Sequence, residues 1–261
     1  MANGRHLERC TECCIEHAPR DPRAAQTNMT ILERFTQNPV FASLWMLALL
    51  ISVILHEYGH AWAAIWQGDD TPTKNGRFDW NPLRYLDWVG VLMFLLIGFG
   101  ALGYVKTRPD KYRNPVWGSF IVSIAGIAMN IALLLIAVVI LRLIDARAYT
   151  LFEALPLGVL NPVFAGGFAY TAAGVPEAGL YFIAQLVTLN ITLAVFNALP
   201  IPPLDGANAL AAIIPGRLGE SLRANLAGSS WLVIVVIVLL REPLGNLLYG
   251  VERVVVTALL R

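Results

Sequence analysis

Residues 40–66 read VFASLWMLALLISVILHEYGHAWAAIW, an apolar run broken only by His56, Glu57 and His60. A helix needs about 20 consecutive apolar residues to cross a bilayer's hydrocarbon core, and this run is long enough. Three polar groups one turn apart in such a setting cost several kcal/mol, on the order of magnitude, unless something satisfies them. Satisfaction by neighbouring helices explains one such residue better than three in this spacing. The stretch reads as a spanning helix built around a site.

His56-Glu57-Tyr58-Gly59-His60 is an H-E-x-x-H pattern. On a helix, positions i and i+4 lie about 40° apart and one turn along the axis, so both imidazoles reach one metal ion from the same face. Glu57 stands about 100° round from His56, where it can take a proton from a water that zinc acidifies. Gly59 removes a side chain beside the metal and permits close backbone approach.

The rest of the chain fits a membrane setting. It is 57% hydrophobic and only 14% charged, with a mean hydropathy of +0.60, whereas soluble domains carry about 25% charged residues. A net charge of +1 argues against a nucleic-acid partner, which requires clustered Lys and Arg. Residues 1–38 read as a polar, disordered N-terminal tail, and 39–261 as one membrane-embedded domain. Cys10, Cys13, Cys14 and His17 in that tail have the makings of a metal clip. No apolar periodicity surrounds them, so a reduced, unstructured tail is the better reading. Met29 begins a sequence that reads well as a protein start, and the first 28 residues are a candidate upstream extension.

Beyond the first span, residues 67–88 are polar and rich in turn formers, as in a loop or short hairpin. Residues 89–105 are apolar but contain four glycines, and basic residues flank them on both sides. The positive-inside tendency then favours re-entry over spanning. Residues 116–144 and 178–199 are clear spans joined by a Pro/Gly-containing loop, and 230–258 is an apolar stretch interrupted at Arg241-Glu242-Pro243. The expectation is an all-α membrane protein, a polytopic helical bundle of about four to six spanning or re-entrant segments.

A catalytic zinc site usually has three protein ligands and an open position, so another segment must supply the third. Asp205, in Asn197-Ala198-Leu199-Pro200-Ile201-Pro202-Pro203-Leu204-Asp205-Gly206, is the best candidate. The prolines end the preceding helix, and irregular backbone at membrane depth is tolerated where it lines a cavity. Asn197 can offer its amide to a substrate backbone, and Gly206 gives room for the turn. The blander alternative is an interfacial loop with a solvated Asp and an Asn cap.

Together the two motifs resemble the site-2 protease family of intramembrane zinc metalloproteases, whose pattern pairs H-E-x-x-H on one span with N-x-x-P-x-x-x-L-D-G near another. Gly76-Arg77, Asn81-Pro82, Asp87 and Gly90 are similar to the compact branch without PDZ or CBS domains, with Tyr85 where a His is usual. Ala125-Gly126-Ile127-Ala128-Met129-Asn130 resembles A-G-P-x-x-N, with Ile127 replacing proline. The resemblance implies Zn²⁺ held by His56, His60 and Asp205, catalysis by Glu57 and substrate positioning by Asn197. It implies hydrolysis of peptide bonds in or next to transmembrane segments of a membrane-protein substrate. The site would open towards the cytoplasm from a bacterial-type cell membrane.

That orientation puts the tail, with Arg5, Arg9, Arg20, Arg23 and Arg34, on the far side, against the positive-inside tendency. A translocated tail, an early re-entrant segment or a start at Met29 would each reconcile the two. Two other functions compete. A metal transporter would use the same intramembrane ligands, but such proteins often show two related halves, and no repeat is visible. An inactive, protease-like binding protein would not need the intact H-E-x-x-H.

Overall fold

The computed structural model describes residues 36, 39–76, 87, 88, 91, 103, 105–144, 177–226 and 241–260. The expectations for Cys10, Cys13, Cys14, His17, Met29, Arg77, Asn81-Pro82, Tyr85 and Gly90 lie outside them, as do those for nearly all of 89–104 and for 145–176. Seven α-helices are found among the described residues: α1 Pro39–Trp66, α2 Thr71–Lys74, α3 Pro115–Ile144, α4 Glu177–Ala198, α5 Asp205–Ile213, α6 Gly216–Leu226 and α7 Arg241–Leu260. A 3-10 turn covers Pro109–Lys111. Three helices among these residues are long and apolar enough to cross a membrane, namely α1, α3 and α4 from Ala178. They coincide with the three clearest runs in the sequence, and the chain is an all-α integral membrane protein.

The helix ends follow from local chemistry. At the start of α3, the Asn114 side-chain oxygen accepts the backbone N–H groups of Val116 and Trp117, both at 3.1 Å, an N-cap that satisfies two otherwise unpaired donors. Pro115 follows in the first helical position, where a missing N–H costs nothing. α1 ends on Gly68, whose φ of 103° is the left-handed geometry that glycine adopts without strain. The amides of Gly68 and Asp69 turn back to Ile65 O and Ala64 O, both at 2.9 Å, closing the helix with a Schellman pair.

Lipid tails are as apolar as leucine, so helices in a membrane associate through close packing and interhelical hydrogen bonds. α3 is central, packed against both α1 and α4, with α5 lying on α3 and α7 on α4. The core joins Trp45 and Leu49 of α1, Leu134 and Leu141 of α3, and Tyr181 and Val187 of α4. Phe41 meets Tyr181 edge-on, ring centroids 4.8 Å apart. One turn before His56, the Asn190 amide donates to Ser52 Oγ at 2.8 Å and to Leu186 O at 2.7 Å, tying α4 to α1. Nearer the site, a Cβ on Gly59 would stand 2.7 Å from the Ala125 carbonyl oxygen and 3.2 Å from Met129 Cβ. Gly59 therefore does allow close backbone approach, and the face it clears is turned to Ala125 and Met129 of α3.

The loops at the C-terminal end of α1 are fastened to the N-terminal end of α3. Asp69 is fully buried and accepts the backbone N–H of Thr71 at 2.9 Å and of Arg108 at 2.6 Å. The Arg113 amide donates to Gln67 O at 2.8 Å. On the surface beside it, Lys111 and Lys74 both pair with Asp70. Hydrogen bonding to these two ammonium groups, Lys111 foremost, holds the Asp70 carboxyl down to about 2.

Candidate metal centre

The helical register of α1 brings His56 and His60 to one side, as the spacing predicts, with their Nε2 atoms 3.1 Å apart. Asp205 arrives from the first turn of α5. Its Oδ2 lies 3.1 Å from His56 Nε2 and 3.2 Å from His60 Nε2. These are the three residues of the described chain that cluster in a metal-binding arrangement. The third side chain is placed by the proline-rich turn. α4 stops at Ala198, and the chain turns through Leu204, whose amide donates to Ile201 O at 2.9 Å. α5 then begins at Asp205. A Cβ on Gly206 would fall 2.5 Å from Ala198 C and 2.6 Å from Leu199 O, so only glycine lets α5 close on the end of α4.

The proton positions show what this cluster can hold. His60 Nδ1 lies 2.7 Å from the Val122 carbonyl oxygen, which can only accept, so Nδ1 carries the N–H. In neutral imidazole the other nitrogen is then a bare lone pair. That lone pair converges on His56 Nε2 and on Asp205 Oδ2, a buried oxygen with no hydrogen-bond partner. Two acceptors this close, beside a second imidazole nitrogen, repel one another unless a cation, a proton or a metal, sits among them. Tetrahedral zinc with bonds of about 2.0–2.1 Å sets neighbouring ligand atoms about 3.3 Å apart. The observed 3.1 to 3.2 Å is close to that spacing, and two imidazoles with one carboxylate form a donor set suited to zinc.

α3 forms the wall behind the two imidazoles. A Cβ on Gly126 would come within 2.6 Å of His56 Cε1 and 2.7 Å of its Nε2, and nearer still to His60 Nε2. The rings therefore occupy the space a side chain would fill. Asn130, fully buried one turn further along, places its amide 3.1 Å from His56 Nδ1. The sequence singled out Gly126 and Asn130 only as part of a family-like pattern. The Val122 carbonyl carried no side-chain signal at all.

Glu57 lies one residue round the helix from His56. Gly103 packs against it, since a Cβ there would meet Glu57 Cγ at 2.6 Å and Oε1 at 3.1 Å. Asn197, in the last turn of α4, donates its amide to Leu193 O at 3.0 Å and is partly buried. It is not among the clustered ligand atoms.

Comparison with known proteins bears on this centre. The sequence model described as peptidase family M50 matches residues 44–241. The "Putative zinc metalloprotease YwhC" of Bacillus subtilis is 30% identical over 217 residues, covering 82% of this chain and 88% of that protein. The "Putative zinc metalloprotease Rip2" of Mycolicibacterium smegmatis is 33% identical over 205 residues, 76% of this chain and 66% of that protein. Its namesake in Mycobacterium tuberculosis is 29% identical over the same length. No solved structure gives a significant match.

Proposed function

This chain belongs to peptidase family M50, the site-2 protease family of membrane zinc metalloproteases, and from that membership we propose the division of labour at its centre. His56, His60 and Asp205 hold the zinc, Glu57 is the general base, and Asn197 positions substrate. The observation that carries this reading is the trio of donor atoms 3.1 to 3.2 Å apart, with the His60 tautomer fixed by the Val122 carbonyl.

Zinc held by His56, His60 and Asp205 would supply the acidity of a bound water and the polarisation of the scissile carbonyl. Everything else falls to the chain's own residues. The Glu57 carboxylate takes the proton released by the attacking water and delivers it to the leaving amine. Gly103 leaves that carboxylate the room to do so. The bundle excludes bulk water, for the side chains of His56, His60 and Asp205 retain only 9%, 11% and 16% of their exposure. A helical substrate shields its own carbonyls, so the segment to be cut must unwind locally. The Asn197 amide and the Pro200–Asp205 turn offer polar groups to the unwound strand.

The substrate is a protein in the membrane, and the site opens to the cytoplasm of a bacterial-type cell. Two features support that orientation. Lys74, Lys106, Arg108, Lys111 and Arg113 lie in the connection between α1 and α3, at the C-terminal end of α1, in keeping with the positive-inside tendency for a cytoplasmic face. Exposed Trp62, Trp66 and Trp117 ring the same end, where indoles mark the membrane interface. His60 is six residues before Trp66, which at 1.5 Å per residue sets it about 9 Å below that boundary.

Glu57→Gln tests the assignment. The variant should bind zinc as the wild type does and fail to cleave a model transmembrane substrate in proteoliposomes. Undiminished cleavage would refute the role of Glu57.

A further inference from the structure

Val122, Gly126 and Asn130 are spaced four residues apart on α3, so they form one stripe along the helix. Each meets the histidine pair in a different way. The Val122 carbonyl accepts from His60 Nδ1 at 2.7 Å. Gly126 leaves space for both rings. The Asn130 amide stands 3.1 Å from His56 Nδ1.

A neutral imidazole that ligates metal through one nitrogen carries its proton on the other, and that N–H needs an acceptor. For His60 the acceptor is a backbone carbonyl. For His56 the amide can present either end. With its nitrogen towards the ring, Asn130 donates to Nδ1 and leaves the ring proton on Nε2, where the metal must bind. The same orientation strands the amide oxygen, which is buried without a hydrogen-bond partner. A half-turn about the last side-chain torsion removes both difficulties, because Nδ1–H then donates to Oδ1.

We propose that Asn130 is a positioning residue, which holds His56 in the metal-binding tautomer by accepting its Nδ1–H through the amide oxygen. The proposal rests on the zinc reading above. It also accounts for an amide at this position rather than a carboxylate. Asp205 and Glu57 together balance the two positive charges of zinc, and a third carboxylate would leave a net negative charge at membrane depth, where charge is costly.

The test compares full-length wild type, Asn130→Asp and Asn130→Leu in detergent, with zinc dissociation constants measured by chelator competition. Loss of such an outer partner typically weakens metal binding about 10- to 100-fold, the drop expected for Asn130→Leu. Asn130→Asp, which can only accept when ionised, should retain wild-type affinity or bind more tightly. Equal affinity of wild type and Asn130→Leu would overturn the proposal. So would an Asp variant as weak as the Leu variant, since the amide would then be acting as a donor. If Asn130→Leu fails to fold, nitrogen-15 histidine spectra of the full-length wild type stripped of zinc decide the matter. A proton on His56 Nδ1 supports the proposal, and one on Nε2 overturns it. Wild type that binds no zinc would remove the proposal together with the reading beneath it, whereas the other adverse results remove the proposal alone.

Discussion

Replacing Gly126 by alanine adds one methyl group at the point where both imidazoles meet α3. The new Cβ would lie 2.6 Å from His56 Cε1 and 2.7 Å from Nε2, whereas ordinary van der Waals contact begins near 3.4 Å. Something must retreat by several tenths of an ångström. The rings cannot simply rotate, because His60 is held by the Val122 carbonyl and His56 faces the Asn130 amide. Nor can α1 easily draw back, since Gly59, one residue before His60, already seats it against the Ala125 backbone. The strain therefore falls on the ligand spacing. Misplacement of about 1 Å at a reacting centre costs on the order of 100-fold in rate, and overpacking costs about 1–3 kcal/mol in stability. Gly126→Ala should accordingly lose zinc affinity by about 10- to 100-fold, in the range seen when ligand orientation is disturbed. Its cleavage rate should fall by about 100-fold at saturating zinc. The assays are chelator competition, cleavage of a model substrate in proteoliposomes and a thermal melt. Gly245→Ala is the control, for a Cβ there meets nothing within 4 Å. Wild-type affinity and rate in Gly126→Ala would refute the claim that the rings are wedged against this glycine.

Removing the third ligand should be harsher. Asp205→Ala should bind zinc more than about 100-fold more weakly, exceeding the loss from an outer partner; metal analysis showing one tightly held zinc would send the third-ligand assignment elsewhere. Gly206→Ala drives a methyl into the backbone of Ala198 and Leu199, which cannot yield as a side chain can. It should lower stability by about 1–3 kcal/mol and reduce zinc content, read by a detergent melt and metal analysis. The Asp70 pairing has a defined pH window. Its folded pKa is depressed to about 2, so the stabilisation is complete above the ordinary Asp range near 4 and is lost as pH falls through 2. Carbon-13 titration of the Asp70 carboxyl should give a midpoint near 2 in the wild type and a higher one in Lys111→Ala.

Much of this could be read from the chain because the informative signals are local. An apolar run of spanning length fixes a helix almost by itself, and α1, α3 and α4 fall within a residue or two of the expected bounds. An i, i+4 histidine pair is likewise local, so His56 and His60 could be paired with no knowledge of the fold. Asp205 was harder. Its turn chemistry and the need for a third ligand made it a candidate, but its partnership with residues nearly 150 positions earlier drew its weight from family resemblance. The wall behind the histidines was less legible still. Val122 contributes a backbone carbonyl, which every residue has. An almost uniformly apolar helix such as α3 carries little periodicity to tell which face turns inward. Asp69 looked like one more polar loop residue, and only the folded chain shows it buried and accepting two backbone amides.

The ligand set is divided between the C-terminal half of α1 and the start of α5, with two long helices made in between. During synthesis, the membrane therefore receives the histidine pair and the glutamate long before the aspartate exists. A chain that has inserted only α1 and α3 has the two imidazoles but not Asp205 to close the trio. The trio forms only once the turn after α4 has brought α5 onto α3. On the proposed ligand set, the centre is thus completed by the segment made last among those that supply it.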